Sequence, residues 1–242
     1  MTDKLDVLNQ PVVNANNDQA KSLRNLFSKN HNFVLNIIGG PGVGKTTLIT
    51  GLIAKLTQKV AVIEADMACD FDTVIVKKLN IPVEQINTVN AFHLNARQIA
   101  KVVRTKPEIS SAELILIENV GNLICPTEFY LGEDLQVIVF SVTDGDNKPL
   151  KYPVSFHKAD IVVITKLDLL PYVNFDLDLA KSNIHNLNNK AKIFTVSAMN
   201  SNDHSSNSDT DLNALVEYIT QQYYNKFPKS DCQFLNSSTI LG

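Results

Sequence analysis

A chain of 242 residues with 44% hydrophobic composition can bury a full α/β core, and a single domain is the simpler expectation. A formal charge of -3 leaves no electrostatic footprint for nucleic acid, no run approaches the ~20 apolar residues of a membrane span, and Asp3, Lys4 and Asp6 interrupt any apolar leader. Three scattered cysteines, Cys69, Cys125 and Cys232, are too few for a disulfide framework and point to a reducing, cytoplasmic setting.

In chain order, the first ten residues read as a loose arm, and Ala20, Leu23, Leu26 and Phe27 then recur at helical spacing. An apolar run at 33–38 predicts the first strand, and the amphipathic pattern 46–56 predicts a helix after it. Further β-branched runs at 60–64, 114–117, 137–142, 161–164 and 192–196 are separated mostly by helical patterns, which predicts an α/β fold with a mostly parallel sheet flanked by helices. Residues 200–211, rich in Ser, Asn and Asp, predict a polar loop, and 212–227 a last helix ending at Pro228. The division expected is 1–31 as arm and helix, 32–227 as the nucleotide-binding domain, and 228–242 as a tail.

Between the first strand and its helix lies Gly39-Gly40-Pro41-Gly42-Val43-Gly44-Lys45-Thr46, a complete phosphate-binding loop in its strand–loop–helix setting. Glycines let successive N–H groups turn toward phosphates, and the helix start adds partial positive charge. Lys45 supplies a point charge for the outer phosphates, and the Thr46 hydroxyl suits magnesium. Gly40, Pro41, Gly42, Val43, Gly44, Lys45, Thr46 and Thr47 are therefore the expected nucleotide contacts.

The base is read further on. The strand at 161–164 runs into Thr165-Lys166-Leu167-Asp168, where an open α/β sheet presents ligand-binding loops. A carboxylate at Asp168 accepts from the N1–H and exocyclic amine of guanine, which adenine lacks at that edge. The Lys166 stem can cover a base face, and Ser197-Ala198 after the next strand offers backbone donors to the guanine oxygen. A lone Lys-x-Asp is more often a solvated turn; the phosphate loop upstream favours guanine. Thr165 stands where the common motif has Asn, so weaker support of the loop is expected with guanine choice retained.

These pieces, with Val83-Glu84-Gln85-Ile86-Asn87-Thr88, Glu118-Asn119-Val120-Gly121-Asn122-Leu123 and Asp144 through Pro153 (Asp-Gly-Asp-Asn-Lys-Pro-Leu-Lys-Tyr-Pro), resemble the HypB family of hydrogenase nickel-incorporation GTPases. That family lies within the dimerising, signal-recognition-particle-like (SIMIBI) class of P-loop NTPases. The resemblance runs from about residue 17 through 199. It implies GTP hydrolysis, with Glu118 holding magnesium directly or through water, Asp66 serving magnesium or the attacking water, and Gly121 offering an N–H to the γ-phosphate. It further implies Lys148 near the nucleotide and dimer face, a GTP-dependent homodimer, and nickel-maturation proteins and a client metalloenzyme as partners. Asp70 and Asp72 read more simply as exposed acids.

The family's nickel or zinc site uses a Cys-His pair and the Cys of Asn-Leu-x-Cys-Pro. Here those positions read Phe92-His93 and Asn122-Leu123-Ile124-Cys125-Pro126, so one thiolate is missing. Two readings stay open: a two-His, two-Cys set from His93 and Cys125 of two protomers, or loss of metal carriage with Cys125 a small hydrophobe. Cys69 is a substitute thiol near Asp66, and Phe92 would add apolar burial on a dimer face. The competing functions are a nickel metallochaperone, a regulatory GTPase without metal, and a P-loop kinase; the kinase would need an Arg-rich lid that the sequence lacks.

Overall fold

The computed structural model describes residues 3–66, 80–88, 93–197 and 208–228. The Val/Ile-rich runs pair side by side because each is apolar on both faces, as strands covered by helices above and below must be. Numbering elements in chain order among the described residues, β1 is Phe33–Gly39, β2 Val60–Asp66, β3 Val83–Asn87, β4 Leu114–Gly121, β5 Leu135–Ser141, β6 Ile161–Thr165 and β7 Lys192–Val196. They form one parallel sheet in the order β3-β2-β4-β1-β5-β6-β7. The phosphate loop thus leaves the centre of the sheet, where β1 lies between β4 and β5.

Alternation along β1 sorts the core. Phe33, Leu35 and Ile37 face one side, where α2 (Lys45–Lys55) contributes Leu48, Ile49 and Leu52 and α9 (Ser208–Lys226) contributes Leu215, Ile219 and Tyr223. The opposite face carries two apolar clusters. One packs α1 (Asp3–Lys29) and α3 (Ala96–Thr105) on Val34, Ile115 and Ile117; the other packs α7 (Pro153–Lys158) and α8 (Leu177–Leu187) on Ile38, Ile138 and Ile164. Burying side chains such as Ile37, Ile49 and Ile63, each 0% exposed, stabilises by roughly 1.5–3 kcal/mol apiece before entropy is counted.

Three expectations change. The loose arm is instead the start of α1, which runs from Asp3 with Pro11 inside it. The stretch from Asp3 to Gln10 holds no Gly or Pro, and Lys4, Leu5, Leu8 and Gln10 are good helix formers. The last helix starts at Ser208, so the polar loop is shorter than 200–211; Ser and Asp are favoured residues in a helix's first turn. β3 went unread because Val83-Glu84-Gln85-Ile86-Asn87 is half polar, as suits an edge strand with one neighbour. No helix among the described residues is long and apolar enough to cross a membrane.

Candidate nucleotide site

β1 ends in Gly39 because nothing larger fits. A Cβ there would lie 2.5 Å from the Val139 carbonyl oxygen and 2.9 Å from Val43 Cγ2. The chain then winds through Gly42 (φ 69) and Gly44 (φ 94), left-handed positions natural to glycine, before α2 begins at Lys45. Lys45 is buried, its ammonium donating to the carbonyls of Gly39 (3.2 Å) and Gly40 (3.0 Å), a curl that holds the cation inside the loop. Pro41 and Thr47 are exposed on the loop's rim.

Two strand ends meet this loop. From β4, the buried Glu118 accepts a 2.9 Å hydrogen bond from the Thr46 hydroxyl. Gly121 lies so close that an added Cβ would come within 3.3 Å of the Pro41 backbone. A hydroxyl and a carboxylate already in contact are the oxygen donors a hard divalent cation takes, so these residues fit magnesium. Asp66 ends β2, paired in register with Asn87.

From β6, Thr165 reaches back. Its hydroxyl donates to the Val43 carbonyl at 2.6 Å, with the Phe140 carbonyl at 3.2 Å, and the residue is buried. The expected weaker support takes a specific form: the tie between base loop and phosphate loop is kept, with a single donor in place of an amide's donor and acceptor. Lys166 then takes a left-handed φ of 61°, and Asp168 sits exposed in the 3₁₀ turn Leu167–Tyr172. Thr165, Lys166 and Ser197 line one cleft with Gly44 and Thr47, so three of the residues expected to read the base lie beside the phosphate loop, while Asp168 is not among the lining residues. Thr165→Val is expected to weaken guanine-nucleotide binding about 5- to 10-fold, the worth of one net hydrogen bond. Titration calorimetry checks this, and unchanged affinity would remove Thr165 from the site.

Other predicted residues stand apart from that cleft. Lys148 opens α6 (Lys148–Lys151), where its ammonium lies 3.5 Å from Asp144 and 5.1 Å from the Tyr152 ring centroid, partners outside the phosphate loop. Cys125 opens α5 (Cys125–Glu128) and is partly exposed. His93 stacks on Phe129, the residue that caps α5, with ring centroids 3.7 Å apart, and burial lowers its pKa. The stack lays His93 against the helix that starts with Cys125. Among the described residues no group of three or more His, Cys, Asp or Glu could hold a metal ion. Phe92, Cys69, Asp70, Asp72, Ala198 and the tail from 229 lie outside the described residues.

The sequence reading gave no role to three linked, buried polar side chains, Asn36, Asn119 and Glu133, of which Asn119 directly follows Glu118. Asn36, a polar residue inside an apolar strand run, was the available signal. Burial pushes the Glu133 carboxyl up to about 7, against the opposing effect of hydrogen bonds from Asn36 and the Leu131 N–H.

Comparison with known proteins identifies the fold and the family. Residues 33–195 match the family model of the CobW/HypB/UreG nucleotide-binding domain. The hydrogenase maturation factor HypB of Azotobacter chroococcum mcd 1 is 38% identical over 193 residues, 79% of this chain, which spans 63% of that relative's length. The hydrogenase/urease maturation factor HypB of Helicobacter pylori (strain J99 / ATCC 700824) is 32% identical, covering 78% of this chain and 79% of its own. The crystal structure of HypB from Helicobacter pylori in complex with nickel superposes with a TM-score of 0.80 at 29% identity, over 88% of this chain and 97% of that one. A SIMIBI-type P-loop fold, a central phosphate loop and these matches together place the chain in the CobW/HypB/UreG family of nucleotide-binding proteins and, within it, in the HypB family.

Proposed function

We propose that the chain is a GTP-hydrolysing maturation factor that assists nickel insertion into a hydrogenase or related metalloenzyme. It works as a GTP-dependent homodimer alongside other nickel-maturation proteins. The observation that carries this reading is the single cleft shared by Gly44, Thr47, Thr165, Lys166 and Ser197. In this reading the backbone from Gly40 to Thr47 wraps the phosphates, with N–H groups from every residue of the loop but Pro41, and Lys45 turns from the Gly39 and Gly40 carbonyls to the outer ones. Asp168 accepts from the guanine edge, the Lys166 stem covers the ring, and Ser197 and Ala198 address the base oxygen. Thr46, Glu118 and Asp66 would hold magnesium, whose charge offsets that of the β- and γ-phosphates. Asp66 also orients the attacking water, and the Gly121 N–H meets the γ-phosphate; Lys148, held by Asp144 apart from this cleft within the protomer, would come near the nucleotide and dimer face in the dimer.

Nickel is the cargo, with zinc the competing ion. Burial of His93 favours its neutral imidazole, the form that ligates, and the Phe129 stack fixes the ring. His93 and Cys125 from both protomers would make the two-His, two-Cys set. A second reading is a regulatory dimerising GTPase that remodels a partner and has lost metal carriage. It is supported by Phe92, which stands where the family places a thiolate.

Metal analysis of the dimer bound to a GTP analogue separates the two. The metallochaperone reading expects about one nickel per dimer, as a site on a two-fold axis requires, lost in Cys125→Ala and in His93→Ala. Full stoichiometry in both variants would reject these ligands. No nickel in the wild type, with phosphate still released from GTP, would select the second reading.

A further inference from the structure

Asn36, Asn119 and Glu133 lie among apolar side chains, and each is 5% exposed or less. Asn36 falls between Val34 and Ile38 on the same face of β1, in the seam between the two apolar clusters there. The three are joined end to end. Glu133 accepts from the Leu131 N–H at 2.7 Å and from Asn36 Nδ2 at 3.2 Å; Asn119 Nδ2 donates to Asn36 Oδ1 at 3.1 Å. Asn119 Oδ1 in turn accepts from the N–H of Val120 at 3.0 Å and of Leu94 at 3.4 Å.

The two ends of this chain of bonds are in different functional regions. Val120 stands between Glu118, which holds the Thr46 hydroxyl, and Gly121, which abuts Pro41 of the phosphate loop. Leu94 follows His93, whose ring is stacked on Phe129, two residues before Leu131. The far side is a firm anchor, because Arg24 of α1 donates to the Glu133 carbonyl and pairs with Asp134 at 3.3 Å.

We propose that Asn119 is a positioning residue that couples the γ-phosphate end of β4 to His93, so that the nucleotide state moves the imidazole. The proposal rests on the nucleotide-switch reading above and adds its route. A shift of the Val120–Gly121 backbone carries the Asn119 amide with it. The Leu94 N–H, buried where water does not compete, must follow or lose its acceptor, and losing it costs well more than thermal energy. Asn36 limits the amide to one orientation, so the motion is passed on instead of being absorbed by rotation. The two-state element is thus the end of β4 with its attached 93–94 segment.

The test uses full-length, metal-free protein carrying isotope-labelled histidine. The His93 imidazole resonances are recorded with GDP and with a non-hydrolysable GTP analogue plus magnesium. In the wild type the His93 signals are displaced between the two states. In Asn119→Ala the displacement is lost while the analogue still binds; a role confined to core stability would lower the melting temperature and leave the displacement intact. Should Asn119→Ala fail to fold, Asn36→Ser removes the amide's restraint without touching β4 and must reduce the displacement. Full wild-type displacement in the variants, or none in the wild type, overturns the relay. A displacement that vanishes in the variant of a protein that binds no nickel supports the relay and removes the metal reading, so the two fail separately.

Discussion

Asp168→Asn is expected to weaken GTP binding by about 100- to 1,000-fold and to create affinity for xanthosine triphosphate. The carboxylate has two acceptor oxygens for the two N–H donors of the guanine edge, and hydrogen bonds to a charged group contribute about 1.5–3 kcal/mol each. An amide turns one oxygen into a donor that faces the exocyclic amine, so a bond is lost and a clash of donors takes its place. Xanthine, with an oxygen at that position, reverses the mismatch. The local backbone suits this role: the left-handed Lys166 turns the chain at the cleft, and Asp168 sits exposed two residues on. Competition binding with the two triphosphates reads the result, and unchanged GTP affinity would sink the assignment of Asp168 to the base.

The second large effect concerns folding. Glu133 ionises near 4.5 in an unfolded chain and near 7 when folded, because its burial disfavours the charged form. Between those values the folded protein holds a proton that the unfolded chain releases, so stability falls as pH rises. The Glu133 contribution is fully present below pH 4.5 and lost once the pH passes 7. The linked change is about 3 kcal/mol across that window, from ~1.4 kcal/mol per unit. Other groups titrate in the same range, so the measurement is a difference. The stability of wild type minus that of Glu133→Gln, from urea denaturation at pH 5, 6, 7 and 8, should decline by about 2.5 kcal/mol, the part of that change lying above pH 5, since glutamine does not titrate. A difference that is flat with pH would show that Glu133 is ionised when folded.

Much of the fold was readable because its signals are local. Six of the seven strands announce themselves as apolar runs, and the phosphate loop carries its own motif. The edge strand β3 did not, since exposure lets it be polar and so erases the pattern. In the candidate site the legible part was residue type: Lys45, Thr46 and Asp168 were read from the chemistry of a phosphate, a cation or a base, and Glu118 from the family resemblance. What was not legible is what joins them. The Thr165–Val43 bond links residues 122 apart, and nothing near Thr165 says that its hydroxyl will find that carbonyl. The same holds for the amide chain from Asn36 to Asn119, whose members are 83 positions apart. The reading of Thr165 as a weaker support than the usual Asn was made with its partner invisible; with Val43 in place, a short hydroxyl spans the gap.

The tight seat of Gly39 between Val139 and Val43 has a thermodynamic consequence. With Thr165 holding the Val43 carbonyl as well, the phosphate loop is gripped by strands on both sides of its turn. Its backbone has little freedom left to surrender when a ligand arrives. The entropic cost of ordering it falls on folding, and association with a nucleotide is spared that cost. Any side chain at position 39 would transfer the cost back to the binding step, through a loop pushed off the sheet, even in a protein that still folds.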